Sequence, residues 1–283
     1  MGSRLKSVGY RVARQASRWL PRHAAMSAAV RLADLRWRWS RTDRNAVSRN
    51  LCAVLGVPSL NGQRMDREVF RNFGRYLVEF FTMDRLDHAA VDIEGWRHVQ
   101  EALTAARGAI ILTAHLGNWE MGAAVIRRNG GPIVAIVLPH GDQGMDRMFN
   151  AQRLRCGVPV IPLGPQAVRA ALAHLRQGGL IGLVGDQAFG GRTVDVRLFG
   201  QRVALPVGPA VLSLRSRSPV IPAFLVRTGE GRFQLQLGEP IHPPAGGGSG
   251  ASARAIIAAF AAVLERHVKR YPGQWMAFRS VFA

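Results

Sequence analysis

The sequence predicts an α/β fold, in which a mostly parallel central sheet is flanked by helices and preceded by an N-terminal helical region. From about residue 92 onward, short apolar runs of strand length alternate with longer amphipathic stretches. That alternation is typical of a parallel sheet covered by helices. Before about residue 85, apolar residues recur at helical spacing instead. The chain of 283 residues, 48% of them hydrophobic, has room for one large α/β domain or two small ones.

The first 85 residues are expected to form basic amphipathic helices. Apolar residues such as Val8, Val12 and Trp19 alternate with arginines, and the first fifty residues hold 12 Lys or Arg against two Asp. Trp37 and Trp39 also lie among arginines. Such helices suit the headgroup layer of an anionic membrane. A second interpretation stays open: a helical layer packed on the main domain, with a solvated basic face.

The later part of the chain is divided by its hydrophobic pattern into separate strands and helices. Strands are predicted at 108–114, 132–138, 158–163, 180–185, 219–227 and 232–238, and helices at 119–129, 144–156, 166–177, 207–216 and 252–271. Residues 228–231 contain two glycines and predict a hairpin between the last two strands. Residues 243–250, rich in Pro and Gly, predict a flexible loop.

The formal charge of +20, from 38 Lys and Arg against 18 Asp and Glu, predicts attraction to polyanions. Nucleic acid, anionic lipid headgroups and acidic carriers are the candidate classes. Cys52 and Cys156 form neither a disulfide framework nor a metal set. No secretory signal is expected in the first twenty residues, and no apolar run reaches the 18 residues of a membrane-spanning helix. Motifs for zinc proteases, P-loops, nucleophile elbows and common nucleic-acid readers are absent from the sequence.

The most informative stretch is the motif from His115 to Glu120, which reads His-Leu-Gly-Asn-Trp-Glu. It follows a predicted buried strand and opens a predicted helix. This spacing predicts that the chain folds back so that the Glu120 carboxylate contacts one imidazole nitrogen, leaving the other to accept a proton. Gly117 permits a tight turn, and Asn118 is expected to cap the helix. The other histidines, for example His140, are expected on the surface or in packing.

This motif resembles the His-x4-Asp/Glu motif of glycerolipid and lipid A acyltransferases. Its wording is most similar to the bacterial lipid A lauroyl/myristoyl acyltransferase family, which includes phosphatidylinositol mannoside acyltransferase-like members. The stretches Phe70–Tyr76, Phe199–Gly200 and Pro206–Ala210 also resemble this family. The resemblance implies an α/β acyltransferase domain over residues 86–283, behind the membrane-associating helical region of residues 1–85.

Further site residues follow from the same resemblance. Asn150, Arg153 and Arg155 lie on the helix after the second predicted strand, where the family carries an arginine that would hold a phosphate. Arg153 and Arg155 are two residues apart, so at most one is expected to face the site from a regular helix, whereas both could reach it if the helix ends near Arg155.

Gly117 and Asn118 of the turn are also expected to bind substrate, and two other segments belong to the expected substrate site. Asp186 and Gln187 follow a predicted strand and resemble a family segment; Asp186 is expected to orient an arginine or to accept a hydrogen bond from an acceptor hydroxyl. Gly208, at a predicted helix start, could offer backbone N–H groups to a phosphate.

The resemblance implies a membrane-surface enzyme that moves a fatty acyl group from acyl carrier protein or acyl-CoA to a hydroxyl of a phosphorylated glycolipid, such as a lipid A precursor. His115 would be the general base and Glu120 its partner. No cofactor or metal is expected. The expected location is the cytoplasmic face of the inner membrane, as a peripheral protein. Acylation of phosphatidylinositol mannoside or lysophospholipid is the alternative, and a non-enzymatic polyanion-binding protein a distant one; no nucleic-acid partner is expected.

Overall fold

The structure is a computed structural model and describes residues 2–60, 64–85, 91–245 and 250–282. The N-terminal region is helical, as predicted. Its helices are α1 (Gly2–Trp19), α2 (Arg22–Trp39), α3 (Arg41–Leu55) and α4 (Met65–Thr82), followed by a short 3-10 turn at Met83–Arg85.

Proline and glycine set the boundaries between these helices. Pro21 stands directly before α2, and α1 stops two residues earlier because the residue before a proline disfavours helical geometry. Gly56 ends α3 with a φ of 66°, a left-handed conformation that glycine adopts without strain. The separate helices can therefore pack on one another, α2 and α4 most extensively.

Over the described ranges the rest of the chain forms a seven-stranded sheet and a separate two-stranded hairpin. The sheet strands are β1 (Val91–Glu94), β2 (Ala109–Thr113), β3 (Ile133–Val137), β4 (Val160–Pro162), β5 (Leu180–Val184), β8 (Val220–Gly229) and β9 (Arg232–Leu237), and the hairpin strands are β6 (Thr193–Leu198) and β7 (Gln201–Pro206). The sheet order is β1-β9-β8-β2-β5-β3-β4, and every neighbouring pair is parallel except β8 with β9. The mostly parallel sheet and the hairpin closed by residues 228–231 are thus confirmed.

The connecting helices are α5 (Trp96–Thr104), α6 (Trp119–Arg128), α7 (Gln143–Arg155), α8 (Ala167–Arg176), α9 (Gly208–Ser216) and α10 (Gly250–Arg270). All but α5 were predicted. Also absent from the prediction were β1, which alternates half-buried and exposed residues at the sheet edge, and the β6–β7 hairpin, whose apolar residues alternate with charged ones. In the predicted loop at 243–250, residues 246–249 lie outside the described residues.

The sheet separates two hydrophobic layers because successive strand residues point to opposite faces. Ile110 and Leu112 of β2 pack in the layer with α8, α9 and α10, while Ala109 and Ile111 pack in the layer with α4, α5, α6 and α7. Helices α1 and α4 thereby cover the same face as α6, whereas Val54 of α3 packs in the opposite layer with α10. Among the described residues, no helix is both long and apolar enough to cross a membrane.

Candidate active site

His115 and Asp186 lie at the carboxyl ends of two neighbouring parallel strands. In the pairing of β2 with β5, Thr113 stands opposite Val184. The amide of Gly185 donates to the carbonyl of Thr113 at 2.9 Å, which carries the pairing past the end of β5. His115 and Asp186 are the residues two positions beyond the last pair, so strand register brings them side by side.

The two side chains form a hydrogen-bonded pair. Asp186 Oδ1 lies 2.8 Å from His115 Nδ1, and the Trp275 indole N–H donates to Asp186 Oδ2 at 2.9 Å. Asp186 is fully buried, whereas the His115 side chain is 22% exposed. Among the described residues no side chain hydrogen-bonds to Nε2 of His115. With Nδ1 held by the carboxylate, Nε2 is the nitrogen left to accept a proton.

Burial and charge act in opposite directions on the His115 imidazole. Burial disfavours its charged form, but the charge of Asp186, its hydrogen bond and the charge of Glu120 outweigh that effect and raise the pKa of His115 above its ordinary value. For Asp186, burial acts to raise the pKa, but His115 and the Trp275 N–H keep it below the ordinary value. The pair therefore favours an ionised carboxylate beside a histidine that is a stronger base than in water.

The predicted contact between Glu120 and His115 is wrong. Asp186 takes the imidazole nitrogen, and the Glu120 carboxylate instead forms a bidentate ion pair with Arg153, with Nη2–Oε1 at 2.6 Å and Nε–Oε2 at 2.9 Å. Because α6 begins at Trp119, Glu120 lies in its first turn with its side chain buried toward α7. Glu120 reaches the imidazole only through its charge. Asp186, expected to orient an arginine or to accept a hydrogen bond from an acceptor hydroxyl, orients the histidine rather than an arginine; a bond to an acceptor hydroxyl stays a prediction.

Only one of the two candidate arginines faces the interior. Arg153 is buried and Arg155 is exposed, which confirms that two residues two positions apart do not share a face of α7. Arg153 Nη1 also donates to Asn150 Oδ1 at 2.7 Å, so Asn150 and Glu120 both hold the guanidinium. The described partners of Arg153 are protein groups, and phosphate binding by Asn150, Arg153 or Arg155 stays a prediction.

The turn between His115 and α6 has the predicted conformation. Gly117 has a φ of 65°, and a Cβ at this position would come within 2.0 Å of the carbonyl oxygen of Leu225. Asn118 Oδ1 accepts a hydrogen bond from the Met121 amide at 3.1 Å and so caps α6. Asn118 is buried, with 2% exposed. Its part in substrate binding stays a prediction, as does that of Gly117.

A pocket of about 260 Å³ opens beside His115. Its walls are mostly aromatic. They come from helices α1, α4, α6 and α7 and from loops beyond the strands, and include Tyr10, Tyr76, Trp119, Phe149, Phe189 and Phe278. Gln187 lines it too, with Nε2 3.5 Å from His115 Nδ1. Gly208 begins α9 and is not among the described residues that line this pocket.

Several pocket and site residues were not found from the sequence. Trp275 lies 89 residues beyond Asp186 in a stretch without regular period. Tyr76 stacks on Trp119 with ring centroids 4.5 Å apart, but on the sequence it belongs to a helical apolar face. His140, expected on the surface or in packing, lines the pocket, and burial together with the charge of Arg153 lowers its pKa. In the sequence, the aromatic residues at helical spacing in α4 were the available sign that this helix contributes to the pocket wall.

Comparisons with known proteins identify the family of the chain. The family described as bacterial lipid A biosynthesis acyltransferase matches residues 10–283. A phosphatidylinositol mannoside acyltransferase of Mycolicibacterium smegmatis is 26% identical, over 97% of this chain and 90% of its own length. A phosphatidylinositol mannoside acyltransferase of Mycobacterium tuberculosis is also 26% identical, over 80% of this chain and 73% of its own length. The lipid A biosynthesis palmitoleoyltransferase of Escherichia coli is 26% identical, over 59% of this chain and 56% of its own length. The chain belongs to the bacterial lipid A biosynthesis acyltransferase family.

Proposed function

We propose that this protein transfers a fatty acyl group from a thioester, on acyl carrier protein or coenzyme A, to a hydroxyl of a phosphorylated glycolipid. The observation that carries the proposal is the His115–Asp186 pair at the wall of an aromatic pocket. A lipid A precursor is one candidate acceptor. A phosphatidylinositol mannoside is the other, supported by the mycobacterial relatives that match along most of this chain.

In this mechanism His115 Nε2 removes the proton of the acceptor hydroxyl as its oxygen attacks the thioester carbonyl. The carbon–sulfur bond then breaks, and the imidazolium returns the proton to the departing thiolate. Asp186 fixes the tautomer with the proton on Nδ1 and stabilises the imidazolium. A thioester is already activated, so the reaction requires neither a metal nor a cofactor.

The role of Glu120 differs from the one that its place in the motif predicts. Its carboxylate is engaged by Arg153, so it braces the helix that follows the histidine and adds negative charge near the imidazole. The pair at Glu120 and Arg153 joins α6 to α7, which forms another wall of the pocket. These two residues therefore hold the base and the pocket in a fixed relation.

The pocket suits an acyl chain. Tyr76 and Phe149 line its wall, and the exposed Arg279 also lines it, with its guanidinium over Phe189, 5.1 Å from the ring centroid. Apolar walls favour a methylene chain because its transfer from water is favourable. The polar end, with His115 and Gln187, is where the thioester carbonyl would lie.

We further propose that the protein is peripheral on the cytoplasmic face of the inner membrane, held by the region of residues 1–85. Trp19 is 83% exposed and Trp39 is 79% exposed, and both lie among arginines. Exposed Val12 and Leu32 extend the apolar surface of α1 and α2. Interfacial tryptophans and basic residues together favour an anionic lipid surface.

The direct test is lipid mass spectrometry of cells with and without the protein, joined to transfer assays with purified enzyme. One class of phosphorylated glycolipid should differ by the mass of one acyl chain. His115→Ala should abolish transfer while remaining folded, and His242→Ala, at an exposed histidine outside the pocket, should be fully active.

Other outcomes identify the rival functions. An acyl change confined to lysophospholipid would replace the glycolipid acceptor with a simpler one. Unchanged lipids, together with full activity of the His115→Ala protein, would refute the mechanism and favour a non-enzymatic polyanion-binding protein.

A further inference from the structure

A buried polar network lies directly behind the turn that carries His115. Glu79 on α4 is fully buried, and its Oε2 accepts a hydrogen bond from Asn118 Nδ2 at 3.0 Å. Its other oxygen, Oε1, lies 2.6 Å from Arg227 Nη1 on β8, close enough for an ion pair although not aligned as a hydrogen bond. Glu79 thus connects an N-terminal helix to the turn and to the sheet.

The same turn is held on its other side by backbone and amide groups. The Asn118 amide donates to Leu225 O at 2.8 Å, and the Gly117 amide donates to Gln274 O at 3.0 Å. The Gln274 side chain bonds to both the amide and the carbonyl of Arg227, at 2.9 and 2.8 Å. These bonds hold the backbone of the turn on one side, and the Asn118 side chain, with its two partners, holds it on the other.

Asn118 therefore has a double task. Its Oδ1 caps α6, and its Nδ2 needs an acceptor because the side chain is buried. Within the described residues Glu79 is the side chain that supplies this acceptor. We propose that Glu79 is a positioning residue for catalysis: it orients Asn118, and through Asn118 it fixes the turn that places His115 beside Asp186. The proposal rests on the acyltransferase mechanism above.

A structural role and a positioning role can be separated because Glu79 has two different partners. Its ion pair with Arg227 would carry a structural role, and its hydrogen bond with Asn118 would carry the positioning role. Glu79→Gln keeps an acceptor for Asn118 but leaves the Arg227 cation without its partner, which destabilises a protein. The double variant Glu79→Met with Arg227→Met removes the fully buried carboxylate together with the guanidinium, whose side chain is 20% exposed. Replacing an ion pair by apolar side chains in this way is often neutral for stability. The double variant leaves Asn118 Nδ2 without an acceptor.

If Glu79 positions the turn, the Glu79→Gln variant and the double variant should rank in one order by kcat and in the opposite order by stability. In kcat, Glu79→Gln should stay within about threefold of the wild type and the double variant should fall at least tenfold, with KM nearly unchanged. In resistance to urea, the double variant should exceed Glu79→Gln. Asp66→Asn, at another buried carboxylate of α4 that bonds Trp37 away from the site, is the matched control and should lower stability without lowering kcat.

Hydrogen exchange at residues 113–121 tests the same idea without using activity. The double variant should exchange the amides of Gly117 and Asn118 faster than Glu79→Gln does, although it is the more stable protein. If rate and exchange both follow stability, Glu79 is structural and the proposal is overturned. A third outcome would separate the two proposals. If the double variant exchanges fast but the His115→Ala protein is fully active, Glu79 does position the turn and the proposed chemistry at His115 is wrong. If neither Glu79 variant folds, Asn118→Ala takes their place: kcat and exchange unchanged from wild type would overturn the proposal.

Discussion

Replacing Asp186 with Asn isolates the contribution of one carboxylate. In Asp186, one oxygen faces His115 Nδ1, which carries the proton in the catalytic tautomer, and the other faces the Trp275 N–H. An Asn amide has only one oxygen, so in either orientation its NH₂ group faces one of these two donors. In one orientation the imidazole must place its proton on Nε2 and cannot act as the base; in the other, the Trp275 N–H loses its acceptor. We expect kcat to fall by about 10²- to 10⁴-fold, the usual range for general-base catalysis. That loss corresponds to about 3–5 kcal/mol of transition-state stabilisation.

The pH dependence gives a second and independent reading of the same variant. Below its pKa His115 is protonated and cannot accept the hydroxyl proton, so kcat/KM should rise with pH through that pKa. Asp186 raises the pKa of His115, so the acidic limb of the wild type should lie above the ordinary histidine value of about 6.5. In Asp186→Asn the charge is gone and burial remains, so the limb should move to lower pH while the plateau falls.

Trp275→Phe provides the control for the amide orientation. Added to Asp186→Asn, it removes the competing indole N–H, so the amide oxygen is free to face His115 and activity should rise above that of the single Asn variant. Steady-state assays across pH measure both effects. Activity of Asp186→Asn within threefold of the wild type, with an unmoved limb, would show that Asp186 is not the partner of the base.

Three further outcomes can be measured. Arg153→Ala leaves Glu120 buried without its cation and should lower the free energy of unfolding by about 3–5 kcal/mol in urea titrations, whereas Arg155→Ala, at an exposed site, should change it by less than about 0.5 kcal/mol; equal effects would contradict the assignment of α7 faces. Gly117→Ala should cost at least about 1–3 kcal/mol, because its Cβ meets the Leu225 carbonyl at a positive φ, while Gly141→Ala, with open space around it, should be near neutral. Binding to anionic vesicles should weaken as salt rises and weaken again in Trp19→Ala with Trp39→Ala, but not in Leu163→Ala, at an exposed leucine outside the N-terminal helices; equal binding to neutral vesicles would reject the electrostatic part.

The sequence was sufficient for most elements of the fold and for the turn of the site, but not for α5, β1 or the β6–β7 hairpin. Periodicity located β2, β5 and the other helices because each has a continuous apolar run or a regular apolar face, and the His115 motif located the turn. Periodicity says nothing about which strands are neighbours. The pairing of β2 with β5, which joins His115 to Asp186 across 71 residues, was therefore out of reach.

The exchange of roles between Glu120 and Asp186 has the same origin. Closeness in sequence favoured Glu120 as the partner of His115, since five residues are enough to close a loop. The helix start at Trp119 instead directs Glu120 toward Arg153, a residue on α7 that no local pattern connects to it. The register of β2 with β5 therefore determines the His115–Asp186 pair, and the start of α6 determines the ion pair of Glu120 with Arg153.

Helix α1 connects the proposed membrane attachment with the proposed acyl pocket. Tyr10 on α1 forms part of the pocket wall and packs edge-on against Phe149, with ring centroids 5.6 Å apart. Val8 and Val12 on the same helix are more than half exposed. A shortened protein that lacks α1 would therefore lose a wall of the cavity together with its outer surface. If the pocket holds the acyl chain as proposed, the preference among acyl chains would change together with the membrane-facing surface, so measurements on such a protein would describe a different enzyme.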